Sequence, residues 1–218
     1  MTQNELMRRD EFEDRLSRGD LRLSLVGMSN VGKSYRAKIL SKEMSFYWYD
    51  VDAEIQKALG FTTMEEISEW MGYPTSNGYA EREQRYLALE NEITAKTSPE
   101  TNGKNLILDT TGSVVHLPSQ TLQKLRNTTL VVHIEAGEER VADMVEKFFR
   151  EPKPVTWCEF FFQQPGESVE ESLRHSYPAL LKERFKKYRE LGHIHIPAEE
   201  VFNASGREFL AAIANRLT

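Results

Sequence analysis

The sequence predicts an α/β protein of three layers, with a central parallel sheet of about five strands, helices on both sides and a lid segment. Three observations predict it. Short β-type runs alternate with helix-type runs along most of the chain, which is the pattern of βαβ units. The first strand and helix are joined by Gly27-Met28-Ser29-Asn30-Val31-Gly32-Lys33-Ser34, which fits the phosphate-cradling pattern G-x-x-x-x-G-K-[ST]. Acidic and small residues recur where strands end, on the sheet edge where such folds take ligands. Together they place the chain in the P-loop NTPase fold class.

The elements follow in order. Residues 1–20 form a charged extension, a solvent-facing helix whose few apolar positions are Leu6, Phe12 and Leu16; residues 21–218 form the domain. The run LRLSLVG (21–27) is a strand, and SYRAKILSKEM (34–44) a helix with Ile39 and Leu40 toward the core. SFYWYDVD (45–52) is an aromatic strand ending in acids, and AEIQKALG (53–60) a short helix closed by Gly60, a natural residue just past a helix end. TTMEEISEWMG (62–72) begins with Thr and has Glu three residues on, a capping box. After the polar loop 73–78 comes a long helix, 79–96, and then a turn, 97–104. NLILDTTG (105–112) is a buried strand, 117–127 a helix and TLVVHIEA (129–136) a fourth strand. Residues 138–149 carry apolar side chains at 141, 144, 145, 148 and 149, an amphipathic helix. Residues 150–167 are irregular and make up the lid. Residues 168–191 are helical, with Pro178 expected to interrupt or kink the run. HIHI (193–196) is a fifth strand, and 205–217 a closing helix capped by Ser205 and Glu208.

Bulk composition narrows the function classes. With 39% hydrophobic and 28% charged residues in 218, a packed core is expected rather than wholesale disorder. The net charge of −6 does not favour nucleic acid, whose phosphates are held by Lys and Arg. The single cysteine, Cys158, excludes a disulfide framework and suits a reducing compartment. It reads as a small core residue before it reads as a reactive thiol. The first residues lack an apolar signal core and no run reaches membrane-spanning length, so a cytoplasmic monomer without membrane or nucleic-acid partners is expected.

The loop has a physical reason to bind phosphate. Backbone N–H groups at a helix start lack helical partners, and the helix dipole adds positive potential. Gly27 and Gly32 let the backbone turn, and Asn30 tolerates positive φ. Ser29, Asn30, Val31 and Tyr35 frame the same anion site. Lys33 brings a mobile cation to the β- and γ-phosphates, and Ser34 a hydroxyl for Mg²⁺. ATP with Mg²⁺ is therefore the expected cofactor pair. Mg²⁺ takes hard oxygen ligands, which Asp50 and Asp109 could supply with Ser34. Asp50 and Asp52, spaced i, i+2, would share one side of an extended strand. A hydroxyl acceptor also needs a carboxylate as base or orienter.

From GMSNVGKS through YDVDAEIQKALGFTTMEEISEWMG, the chain resembles the shikimate kinases. That family has a phosphate loop, a strand ending Asp-x-Asp, and the spacing that Ile55, Gly60, Met64, Ile67 and Gly72 match here. LILDTTGSVV resembles its glycine-rich third motif, FFREPKP its lid motif, and KERFKKYRELGHIHIPAE its R-x-x-x-Y segment through Arg184 and Tyr188. The resemblance covers about residues 20–217, with lengthened loops near 73–78 and 151–167. It implies that Lys33 and the loop amides bind ATP phosphates and that Ser34 and Asp50 serve Mg²⁺. It further implies that Asp52 faces the acceptor hydroxyl, that Arg184 pairs with an acceptor carboxylate, and that Arg150 in the lid reaches phosphates or adenine on closure.

The departures concern the acceptor side. The family has Phe-Arg-x-x-Glu where this chain has Tyr79-Ala80-Glu81-Arg82-Glu83, so an acceptor-binding arginine is replaced by Ala80, with Arg82 or Arg85 as its nearest substitutes. The family's Gly-Gly-Gly becomes Thr111-Gly112-Ser113, and its usual Ala becomes Asp109. The expectation is transfer of the γ-phosphoryl group of ATP to a hydroxyl of a small metabolite, one that could be a carboxylated polyol, with shikimate the first to test. A nucleotide-binding module without transfer, and a kinase for gluconate or a nucleotide, are the alternatives. The cluster WCEFFF (157–162) is either a lid clamp or the packing of a long loop. His133, His193 and His195 suit core or surface roles better than zinc.

Overall fold

The computed structural model describes residues 7–96, 99–151 and 153–218. In chain order they form helix α1 (Arg9–Arg18), strand β1 (Arg22–Val26), α2 (Lys33–Met44), β2 (Tyr47–Asp50), α3 (Val51–Leu59), α4 (Met64–Met71) and α5 (Tyr79–Thr94). Then come β3 (Leu106–Asp109), α6 (Ser119–Thr128), β4 (Leu130–Glu135), α7 (Val141–Arg150), α8 (Val169–Leu191), β5 (Ile194–Pro197) and α9 (Gly206–Ala214). The strands make a five-stranded parallel sheet in the order β2-β3-β1-β4-β5.

The chain moves outward from β1 to β2 through α2, then in the opposite sense from β2 through β3 and β4 to β5. Right-handed crossovers therefore put α2 on one face and the later connections on the other. The packing agrees: α2 meets α9 and α9 meets α1, whereas α5 meets α3, α4 and α6, and α7 meets α8. Covered on both faces, the central strands can be apolar throughout. Leu23, Leu25, Val26, Ile107, Leu108, Val131, Val132 and Ile134 are wholly buried. All five C-terminal strand ends point to one edge, and the loop after β1 lies where connections diverge to opposite sides, the place where open α/β sheets bind ligands.

Local signals fix the helix ends. Thr63 with Glu66 and Ser205 with Glu208 form the capping boxes the sequence predicts, and Ser168 with Glu171 forms a third. Gly60 closes α3 at φ 79°. Helix α1 is not wholly solvent-facing. Phe12 is buried, Arg9 N donates to Thr218 O at 3.1 Å, and Asn105 bridges Leu16 O and Leu21 N, each at 2.9 Å. Leu6 and part of the turn 97–104 lie outside the described residues.

Two expectations change. The strand expected over 45–52 ends at Asp50, because the Asp50 carboxylate accepts from Ala53 N at 3.0 Å and starts α3. An aspartate at the N-cap outcompetes strand continuation, so Asp52 sits in the first helical turn, not on a common extended face with Asp50. Of the interruption or kink expected at Pro178, the interruption does not occur, since α8 is continuous from Val169 to Leu191. Buried side chains on both sides of the proline, Tyr177 before it and Leu180, Leu181 and Phe185 after it, hold the helix against the core.

Candidate active site

The loop after β1 is shaped by backbone constraints. Gly27 has φ 145°, and a Cβ there would lie 2.5 Å from Ile134 O. Asn30 adopts φ 67°, the left-handed conformation that asparagine tolerates. Gly32, at φ 99°, is the N-cap of α2. Lys33 is buried, and its ammonium donates to Gly27 O at 2.8 Å and Met28 O at 3.0 Å. Burial lowers its pKa, while Asp109 and Asp52 oppose that shift. Val31 packs into the core and Ser34 and Tyr35 are exposed in the first turn of α2. Beside this turn opens a cleft of about 650 Å³ lined by Asn30, Gly32, Tyr35, Arg140, Ala198 and Phe202 among others. Arg36 braces its far wall by donating to Phe202 O at 2.8 Å and to Ala204 O.

The acids converge on the loop. Asp109 pairs in register with Leu25 on one side and Asp50 on the other. Asp109 is 3% exposed, and among the described residues neither carboxylate oxygen has a hydrogen-bond partner of good geometry. Burial pushes its pKa up to about 6, with Lys33 and the nearby Ser34 hydroxyl pulling it back. Burial also raises Asp50, against its bond from Ala53 N. No group of three or more His, Cys, Asp or Glu among the described residues could hold a metal ion unaided. Ser34, Asp50 and Asp109 offer oxygens only, and the orphaned Asp109 carboxylate leaves lone pairs to fill. That donor set fits Mg²⁺, which keeps waters and shares phosphate oxygens.

Next to the loop lies a smaller pocket of about 100 Å³, walled by Ser29, Lys33, Asp52, Tyr86, Ser113, Lys153 and Arg184 among others. Burial raises the Asp52 pKa, while Lys33 and a hydrogen bond from the Tyr86 hydroxyl lower it. Gly112 lets this wall touch the phosphate loop, since a Cβ there would lie 2.6 Å from Ser29 Oγ. Arg184 is 4% exposed; its Nε donates to His116 Nε2 at 3.1 Å, and Nη2 donates to Thr156 O at 2.9 Å and Thr156 Oγ1 at 3.1 Å. Burial and the Arg184 charge push His116 down to about 3, so it accepts that bond as a neutral ring.

The segment after α7 walls the smaller pocket through Lys153 and Pro154. Lys153 Nζ donates to Asn30 Oδ1 at 2.8 Å, a cation laid on the phosphate loop. Glu83 Oε1 accepts from Trp157 N, Cys158 N at 2.9 Å and the Tyr79 hydroxyl at 2.6 Å, which ties the segment to α5. Trp157 is buried against Phe148, Phe161 and Tyr177. Of the two roles for the aromatic cluster, Trp157 takes the packing one.

The structure brings together Gly27, Ser29 to Tyr35, Asp50, Asp52, Asp109, Gly112, Ser113 and Arg184. It sends others elsewhere. Arg82 Nε donates to Met71 O at 3.1 Å, which fastens the loop after α4, and Arg85 lies over the Trp70 ring at 5.9 Å. Neither reaches the pocket as a substitute for the arginine absent at Ala80. Arg150 is exposed at the end of α7, and the basic groups that share a cavity with the loop include Lys153, Arg140, Lys147 and Arg184. Thr111 is turned away from the pocket onto Glu90. Glu90, Lys153, Arg140 and Tyr86 are the residues that sequence reasoning missed. For Glu90 there was a signal: Tyr79, Tyr86, Glu90 and Ile93 share helical spacing, which puts a glutamate on the buried face.

A phosphate loop at the switch point of a parallel sheet, a pocket beside it that holds Asp52 with Lys33 and Arg184, and a cationic flap above define a P-loop kinase. The chain belongs to the shikimate kinase family, whose profile matches residues 29–201. Its curated relatives include a shikimate kinase of Thermodesulfovibrio yellowstonii, 24% identical over 74% of this chain and 81% of that one. Another is shikimate kinase 1 of Hamiltonella defensa, 26% identical over 81% and 86%. The fold is shared with shikimate kinase from Acinetobacter baumannii in complex with shikimate, at TM-score 0.57 and 23% identity over 92% of this chain and 97% of that one. It is shared likewise with the Aquifex aeolicus shikimate kinase, at TM-score 0.53 and 21% identity over 88% and 96%.

Proposed function

We propose that the protein transfers the γ-phosphoryl group of ATP to a hydroxyl of a small hydroxylated metabolite held between Asp52 and Arg184. The observation that carries this reading is the meeting of Lys33 and Asp52 in one walled pocket that opens directly off the phosphate loop. ATP would lay its phosphates in the loop amides and its base in the cleft beside Tyr35 and Phe202. Mg²⁺, held by Ser34, Asp109 and Asp50, partly through water, would neutralise phosphate charge. Lys33 would leave its two carbonyls for the phosphate oxygens. Asp52 would accept the proton of the acceptor hydroxyl as its oxygen bonds to the γ-phosphorus and the bond to ADP breaks. Lys153 would add charge from above. Such transfer relies on positioning and charge stabilisation more than on covalent work by the protein.

The acceptor end supports a narrower statement. An acceptor carboxylate would meet Arg184, whose Nη1 is used by neither the His116 bond nor the Thr156 bonds. Arg82 and Arg85 give it no second partner. Shikimate is the first acceptor to test and gluconate the second. ADP release coupled to a dye-linked assay, with ³¹P NMR of the product, tests the reading. Turnover with Mg-ATP and one of these hydroxy acids is expected, together with loss of that turnover in Arg184→Ala at unchanged ATP affinity. ATP binding without turnover across a wide panel of hydroxy acids, sugars and polyols would favour a nucleotide-binding module instead, the reading that Ala80, Thr111 and Ser113 motivate.

A further inference from the structure

Glu90 is wholly buried beneath the acceptor pocket. A carboxyl group so placed needs hydrogen-bond partners, and it has two hydroxyls. Ser113 Oγ donates to Oε2 at 2.6 Å, and Thr111 Oγ1 donates to Oε1. Thr111 Oγ1 also accepts from Ser113 N at 3.0 Å and lies 3.1 Å from Ser113 Oγ. Each hydroxyl carries one proton, and an ionised carboxylate only accepts. Above pH about 7, where Glu90 is ionised, both protons are committed to it, and what Ser113 has left is oxygen lone pairs. Ser113 is part of the pocket wall, as is the Asp52 carboxylate. The charged and titratable groups around Glu90 are Asp52 of α3, Tyr86 of its own helix, and Arg184 and Tyr188 of α8.

We propose that Glu90 is a positioning residue that fixes Ser113 as a hydrogen-bond acceptor facing the pocket. The site would then take a small polyol through two donated hydroxyls, one to Asp52 and one to Ser113. This deepens the kinase reading and rests on it for the identity of the pocket. A molecule lacking the second hydroxyl leaves Ser113 unpaired, which is how a polar site rejects an analogue. In Glu90→Gln the amide must donate to one of the two hydroxyls, which breaks the shared orientation at unchanged volume.

The test is calorimetry at pH 8.5, where Glu90 is ionised, in the presence of Mg-ADP with shikimate, gluconate and myo-inositol as probes, alongside ³¹P NMR of transfer from ATP. The wild type is expected to bind at least one probe. Glu90→Gln and Ser113→Ala should each weaken that binding by about tenfold or more, with the double variant no worse than Ser113→Ala, because Glu90 acts through Ser113. Mg-ADP affinity should stay unchanged. If Glu90→Gln does not fold, Ser113→Ala alone decides. The inference is overturned if no probe binds the wild type, if either single variant binds as the wild type does, or if the two losses add. Binding that depends on Glu90 without any transfer would keep this inference and sink the kinase reading. Transfer indifferent to Glu90 would do the reverse.

Discussion

The two ends of the cleft are built by different means. The phosphate end is one contiguous loop whose donors are mostly backbone, and its shape depends on Gly27, Asn30 and Gly32 at positive φ. The acceptor end is an assembly of side chains from separate elements: Asp52 of α3, Tyr86 and Glu90 of α5, Ser113 after β3, Lys153 after α7 and Arg184 of α8. A backbone cradle tolerates few changes, since altering it moves the chain. A side-chain assembly can be rewired one residue at a time at constant fold. Here hydroxyls at Thr111 and Ser113 meet a carboxyl at Glu90, in a buried network that leaves the sheet untouched. Burial perturbs groups at both ends, raising Asp109 to about 6 at the phosphate end and Glu90 to about 7 at the acceptor end, where it also lowers His116 to about 3.

Substitutions can break or sharpen this contrast. The largest effect is expected from Asp52→Asn. It should lower kcat by about 10²–10⁴-fold, the usual weight of a positioned base, and leave ATP affinity intact; equal activity in steady-state kinetics would take Asp52 out of the chemistry. Lys153→Ala is expected to raise the KM for ATP by about tenfold, the cost of one charge-assisted contact of about 1.4 kcal/mol. Lys153→Arg should restore most of that, and an unchanged KM would make the lysine only a tether to Asn30.

Glu90 offers a readout in stability. Its folded-state pKa of about 7 exceeds the ordinary 4.5, so the folded protein holds the proton more tightly. The stabilisation is full below the ordinary pKa and is lost as pH rises through about 7, a change on the order of 3 kcal/mol. Thermal melts should therefore show Glu90→Gln gaining on the wild type between pH 5 and pH 8. A constant difference would contradict the buried, proton-sharing carboxyl. The smallest effect is expected from Arg82→Ala, which should cost about 1 kcal/mol of stability through its bond to Met71 O. It should leave the acceptor KM within about twofold; a tenfold rise would bring Arg82 into the pocket.

Much of this architecture was legible in the sequence, for identifiable reasons. The strands stood out because a sheet covered on both faces writes apolar runs such as LILD and LVVHIE. The phosphate loop stood out because its chemistry lies in neighbouring residues. Asp52 and Arg184, singled out through their motifs, both line the pocket beside the loop. The short β2 was overestimated because an N-cap aspartate and a strand-ending aspartate look alike before the Ala53 bond is seen. The interruption expected as one outcome at Pro178 is absent because helix-breaking by proline is a local tendency that the packing of Tyr177, Leu180 and Phe185 overrides. Lys153 reaches Asn30 across 123 positions and Ser113 reaches Glu90 across 23, so neither contact leaves a trace in spacing alone. Glu90 did leave one, as a glutamate in step with Tyr79, Tyr86 and Ile93.

The most direct test of the central claim is calorimetric titration of Mg-ATP into the wild-type protein and into Lys33→Ala. The account predicts saturable one-to-one binding to the wild type and its loss, by about a hundredfold or more, without the lysine ammonium. No heat with the wild type, or equal affinity in the two proteins, would contradict a phosphate site between β1 and α2.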